Sequence, residues 1–217
     1  MSKIAALISG GLDSCILVNQ LLDAGHQVYP IYIRQGLCWE VTEELFLGKF
    51  LTEIRSPELQ AIQFFDLPVT DIYGEHWSVS GAGVPNEFSE DSAVYLPGRN
   101  LLLLIKVGIW CSMNDVGTIA LASLSGNPFS DNTDNFYNSV SKTLEIALQR
   151  SIKIIRPFCN MSKTEIILKA QYLPLHLTFS CIGPVNNQHC GVCNKCAERK
   201  LAFKTAEISD QTPYIES

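Results

Sequence analysis

Short apolar runs alternate along the chain with longer stretches whose apolar positions recur at helical spacing. Lys3–Ile8 is an apolar run ending at Ser9-Gly10-Gly11, which reads as a buried strand feeding a tight turn. Ile16, Leu17, Leu21 and Leu22 then recur at helical spacing, with Asp13 or Ser14 placed to cap that helix and Ala24-Gly25-His26 to end it. Gln27–Ile33 is β-branched and aromatic, a second strand. Strand, about a dozen helical residues and strand make a βαβ unit, whose strands run parallel. Further on, Trp39–Ile54 reads as a helix, Ala61–Phe65 as a short strand and Leu101–Met113 as a buried helix after the turn Leu96-Pro97-Gly98. Thr118–Ala122 is expected as a strand, Phe136–Gln149 as an amphipathic helix and Ile152–Arg156 as a strand. Met161–Ala170 follows as a helix capped by Asn160 or Ser162. Between these, Tyr73–Asp91 is rich in Gly, Ser, Pro and Glu and too long for an ordinary connection, so it is expected to be a mobile loop over a site. The predicted class is α/β, with a doubly wound, mainly parallel sheet.

Composition narrows this picture. The chain has 217 residues, 47% of them hydrophobic and 18% charged, which supplies a real core and argues against disorder. A formal net charge of −6 disfavours tight, non-specific nucleic-acid binding, which depends on Lys and Arg neutralising phosphates. The first residues lack a signal-peptide pattern, and Leu101–Ile105, among the longest apolar runs, is far too short to span a membrane. A cytoplasmic location is therefore expected. Of eight cysteines, Cys15, Cys38, Cys111 and Cys159 are scattered, while four lie within sixteen residues.

Two clusters carry chemistry. Ser9-Gly10-Gly11-Leu12-Asp13-Ser14 lies between the first strand and first helix, where open α/β sheets place ligands. Two glycines suit a close backbone approach to phosphate and backbone conformations closed to other residues, and the helix N-terminus favours the anion. Ser9 and Ser14 can add hydroxyl donors, and Asp13 can cap the helix or help hold Mg2+. Neither G-x-G-x-x-G nor a Gly-Lys-Ser/Thr phosphate loop occurs. The other cluster is Cys181, Cys190, Cys193 and Cys196, spaced C-x8-C-x2-C-x2-C. Four thiolates at about 2.3 Å suit a closed, structural Zn2+ site. An iron–sulfur cluster or redox disulfides are the rivals. Gly191 relieves crowding, and Lys195, Arg199 and Lys200 offset the charge of the thiolates. His189 is a substrate-contact candidate beside them.

The phosphate hexapeptide resembles the SGGxDS signature of PP-loop ATP pyrophosphatases. With Leu96-Pro97-Gly98-Arg99-Asn100 and the segment from Ser180-Cys181 to Arg199, it is similar to the QueC family, the 7-cyano-7-deazaguanine synthases. The resemblance implies a PP-loop domain over residues 1–175 and a zinc-binding segment with a C-terminal helix over 176–217. It implies ATP-dependent amination of 7-carboxy-7-deazaguanine by ammonia, in a homodimer. ATP would be held by Ile8, Ser9, Gly10, Gly11, Leu12, Asp13, Ser14, Cys15, Ile16, Leu17 and Val18. Arg99, Asn100 and His189 would face substrate, and Lys163, Arg99 and Asp13 would act in catalysis. Two stretches depart from the family pattern, Tyr32–Glu40 and Ser125–Asn132. They fit a paralogue with the same activation chemistry and another acceptor, even an amine on a protein. A tRNA-thiolating enzyme and a non-catalytic nucleotide sensor are the alternatives from other classes.

Overall fold

A computed structural model describes residues 1–215. Five parallel strands form one sheet in the order β3-β2-β1-β4-β5: β1 (Lys3–Leu7), β2 (Gln27–Arg34), β3 (Gln63–Asp66), β4 (Thr118–Ala120) and β5 (Lys153–Ile155). Register runs from Lys3 opposite Gln27 to Leu7 opposite Ile31, and Ala5 and Ala6 face Ile119 and Ala120 of β4. Because side chains alternate along a strand, β1 feeds two cores. Ile4 and Ala6 point to one face and Ala5 and Leu7 to the other.

The first face is covered by α1 (Leu12–Asp23), α2 (Glu40–Glu53), α7 (Lys163–Lys169) and α8 (Asn194–Thr205). The second is covered by α5 (Arg99–Met113) and α6 (Asp134–Leu148). In α5, Leu103, Leu104, Val107 and Cys111 follow helical spacing into the core, and Gly108 admits the Leu144 side chain of α6. A serine cap opens α7: Ser162 accepts from the Glu165 N–H, and Glu165 accepts from the Ser162 N–H, a reciprocal capping box. Among the described residues, no helix is long and apolar enough to cross a membrane.

Two local expectations are corrected. Asp13 and Ser14 lie inside the first turn of α1, whose cap position is Gly11, so neither caps the helix. The Ser14 hydroxyl bonds back to the loop, with the carbonyls of Ser9 and Gly11 at 2.7 and 3.0 Å. The Tyr73–Asp91 stretch is ordered differently from an open loop. It starts at the last residue of α3 (Thr70–Tyr73), contains the short helix α4 (Trp77–Ser80) and is stitched to the cysteine segment. Asn86 bridges to Cys193, the Glu87 N–H donates to the Val192 carbonyl, and the Asn194 N–H donates to the Pro85 carbonyl.

Candidate active site

Strand order reverses beside β1, and the crevice beyond the carboxyl ends of β1 and β4 is where such sheets take ligands. Two cavities of about 220 and 570 Å³ meet there. Ser9, Gly11 and Asp13 line both, as do Arg99 from α5 and Ser123 and Asn127 after β4. Phosphate loop and arginine, read from separate parts of the sequence, thus face one space.

The loop is built by sterics more than by unusual dihedrals. Gly10 and Gly11 are absent from the left-handed glycines, and Gly11 has φ −65°. What Gly10 requires is room: a Cβ there would lie 2.7 Å from the Glu43 carbonyl oxygen and 2.8 Å from Glu43 Cγ. The Gly11 N–H donates to Ser9 Oγ at 3.1 Å, and the Gly10 carbonyl accepts from the Phe179 N–H at 2.6 Å. Among the described residues, no side chain caps α1, which leaves first-turn N–H groups available to an anion.

Placement divides the expected nucleotide residues. Ile8, Ser9, Gly11, Leu12, Asp13 and Ser14 line the cavities. Cys15, Ile16, Leu17 and Val18 instead pack in the core at 4% exposure or less, and burial pushes the Cys15 thiol far up. Gly10 serves from behind, where it receives α2. His189 also departs from expectation: it is fully buried, its Nε2 accepts from the Ser180 N–H at 3.1 Å, and its ring packs between Phe46, Phe179 and Tyr214. Burial holds its pKa down at about 3, so it is a neutral ring bracing the backbone rather than a group facing the cavity.

Lys163, at the first position of α7, reaches the larger cavity. Its Nζ is 3.5 Å from Asp13 Oδ2 and 2.5 Å from Glu198 Oε1, and Lys195 holds the other Glu198 oxygen at 2.7 Å. Burial pushes the Asp13 carboxyl up against the pull of Lys163, while the two lysines bring Glu198 down to about 2 against its own burial. Asp13 Oδ1 is buried and, among the described residues, has no partner. Arg99 Nε donates to Gln35 Oε1 at 2.8 Å, and the Gln35 N–H is held by Glu40. Asn100 donates from its backbone and side chain to Asp131, which fixes the start of α5.

One residue of the site was not foreseen. Glu43 of α2 lines both cavities, is 7% exposed, and accepts the Tyr32 hydroxyl at 2.7 Å. Burial raises its pKa to about 7. A signal was available: Glu43 occupies the same helical stripe as Phe46, Leu47 and Phe50, an acid where the pattern calls for an apolar residue.

The four ligand atoms of Cys181, Cys190, Cys193 and Cys196 lie within 4.8 Å of one another. Cys181 and Cys193 sulfurs are 3.8 Å apart, and bonds of about 2.3 Å to a tetrahedral ion would set such an edge at about 3.8 Å. The cluster therefore fits a metal. Arg199 is close enough to the cluster to interact with the charge of Cys196, but its hydrogen bonds go elsewhere. It is 1% exposed and donates to Thr212, Thr178, Ser180 and the Leu175 carbonyl, tying down the backbone before Cys181.

Fold and site define an α/β protein of the PP-loop class with a cysteine cluster that can bind a metal. The solved structure of the U34-tRNA thiolase NcsA from Methanococcus maripaludis, with its 4Fe–4S cluster, superposes with a TM-score of 0.52 at 14% identity, over 95% of this chain and 66% of that one. A 4-thiouridine synthetase–RNA complex with bound ATP superposes with a TM-score of 0.50 at 14% identity, over 95% and 50%. The family profile of the queuosine biosynthesis protein QueC matches residues 3–207, and the chain belongs to that family. Among its relatives, the 7-cyano-7-deazaguanine synthase of Methanothermobacter thermautotrophicus is 27% identical over 97% of this chain and 98% of its own length. The 7-cyano-7-deazaguanine synthase 1 of Desulfitobacterium hafniense is 28% identical over 95% and 93%.

Proposed function

We propose that this protein uses ATP to activate the carboxylate of 7-carboxy-7-deazaguanine and passes the acyl group to ammonia on the way to 7-cyano-7-deazaguanine. The observation that carries the reading is the shared cavity, where an uncapped helix N-terminus and its Ser-Gly-Gly loop face Arg99 and Lys163. A carboxylate is a poor electrophile, and joining it to a nucleotide phosphate gives it a leaving group. An amide would need a second activation to lose its oxygen and become a nitrile. In this reading Ser9, Gly11 and the first turn of α1 bind the phosphates. Lys163, once drawn from Asp13 and Glu198, offsets the charge that develops on them. Arg99 and Asn100 orient the acid. Asp13, with one carboxylate oxygen unpartnered among the described residues, would hold Mg2+, which supplies charge neutralisation when bound. The four cysteines would hold Zn2+ in a closed, structural role.

A second reading keeps the activation and changes the acceptor. Trp39 and Asn127–Phe129, from the two stretches that depart from the family pattern, line the larger cavity. Transfer to a larger amine, including one on a protein, fits that wall. Incubation of the purified protein with ATP and the acid, with and without ammonium, and product identification by mass tests both. Acid-dependent ATP cleavage with formation of the nitrile is the expected result. Cleavage with a different adduct selects the second reading, and absence of acid-dependent ATP cleavage overturns both.

A further inference from the structure

We propose that Glu43 is the proton acceptor for the incoming amine, placed between the phosphate loop and Arg99 with Tyr32 holding one of its carboxylate oxygens. This rests on the amination reading above. Glu43 lines both cavities although it belongs to α2, and the loop has given up a side chain at Gly10 to let it approach. A carboxylate serving only as a brace would have both oxygens committed to the fold. Here the Tyr32 hydroxyl donates to Oε2 at 2.7 Å and the Gly10 backbone also faces the carboxylate. Among the described residues no side chain donates to Oε1, so Oε1 is the proton-accepting atom.

The step balances without a further reactant. The nitrogen lone pair attacks the activated carbonyl carbon and forms the C–N bond. One N–H proton passes to Glu43 Oε1, and the C–O bond to the phosphate breaks with its electrons leaving on the phosphate oxygen. The proton then returns to solvent through the cavity. Tyr32 keeps its hydroxyl proton, since burial and the carboxylate both push its pKa far up.

The charge environment suits a group that must exchange a proton near neutrality. Burial, the largest influence, raises the carboxyl to about 7, while Tyr32 from β2, Arg99 from α5 and the Gly10 backbone oppose it. Glu40, on the same helix, adds to the rise. The Cys15 thiol of α1 faces the same carboxyl and stays neutral. A base poised near the working pH combines a populated acceptor form with sufficient basicity.

The test separates the two halves of the reaction in Glu43→Gln, which keeps the size of the side chain and an oxygen for Tyr32. We expect acid-dependent ATP activation to survive with the KM for ATP within about threefold of the parent, and single-turnover amination to fall by about 10²-fold or more. Measured at a fixed concentration of free NH3, the acid limb of the parent's amination rate, with its midpoint near 7, should vanish in Glu43→Gln and reappear, shifted, in Glu43→Asp. Amination by Glu43→Gln at the parent rate with the same limb overturns the proposal. So does an equal loss of both halves, which would mark Glu43 as a brace for the loop. Failure of the unmodified protein to cleave ATP in the presence of the acid is a separate result: it removes the amination reading itself, and this inference with it.

Discussion

Glu43 sets function against stability at a single residue. Its folded pKa of about 7 lies above the ordinary carboxyl value of 4.5 because burial disfavours the charge. Between those two values the folded protein keeps a proton that the unfolded chain has lost. Stability therefore falls as pH rises through that window and levels off above it. Glu43→Gln abolishes the titration while retaining an acceptor for Tyr32. Chemical denaturation should find the variant gaining on its parent by on the order of 2 kcal/mol between about pH 5.5 and about pH 8. A constant gap between the two proteins across that range would show that the carboxyl titrates normally in the fold. Because both proteins carry the same cysteines, pH effects on a bound metal cancel from the comparison.

Elements meet closely where the Ser-Gly-Gly loop crosses α2. Gly10→Ala would drive a Cβ into backbone at 2.7 Å, and backbone cannot swing aside, so stability should drop by roughly 1–3 kcal/mol as α2 shifts. Gly11→Ala meets only the Ser9 hydroxyl at 2.9 Å, a rotatable group, at an ordinary φ, so it should move stability by less than about 1 kcal/mol while still crowding the anion site. Equal melting curves for the two variants would refute this steric account. The contrast also marks what the sequence could reveal. Periodicity exposed the five strands, α1, α2, α5, α6 and α7, and the Ser-Gly-Gly turn after the first strand, because burial on both sheet faces writes itself into local pattern. It did not reveal why Gly10 is glycine, since the reason lies 33 positions along the chain in the Glu43 carbonyl. The same limit applies to the stretch after Tyr73. Its Gly, Ser and Pro content resembled an open loop, whereas Asn86 and Glu87 find partners in the cysteine segment more than 100 residues away. His189 looked like a site residue for its position beside Cys190, and only packing between Phe46 and Phe179 shows it turned inward.

Across the whole molecule, the cysteine segment touches the loop, the lysine and the aromatic wall of the cavity. Phe179, just before Cys181, donates its N–H to the Gly10 carbonyl of the phosphate loop. Glu198, two positions after Cys196, holds Lys163 at 2.5 Å. Cys193 bridges to Asn86 in the strap that carries Trp77, whose ring stacks on Trp39 at 5.8 Å. A metal on the four sulfurs would thus lock the loop, the lysine and the aromatic wall together, and its binding free energy would count as folding free energy. The purified protein should contain about one Zn2+ per chain by elemental analysis. Stripping it with a chelator should lower the unfolding free energy by about 3 kcal/mol or more, with recovery on adding Zn2+ back. Because Phe179 and Glu198 flank the cysteines and contact the loop and Lys163, ATP affinity should fall in the same titration that lowers the melting temperature. Stripped protein that melted and bound ATP like the parent would mean that Arg199, through Thr178, Ser180 and Thr212, holds the segment without help from an ion.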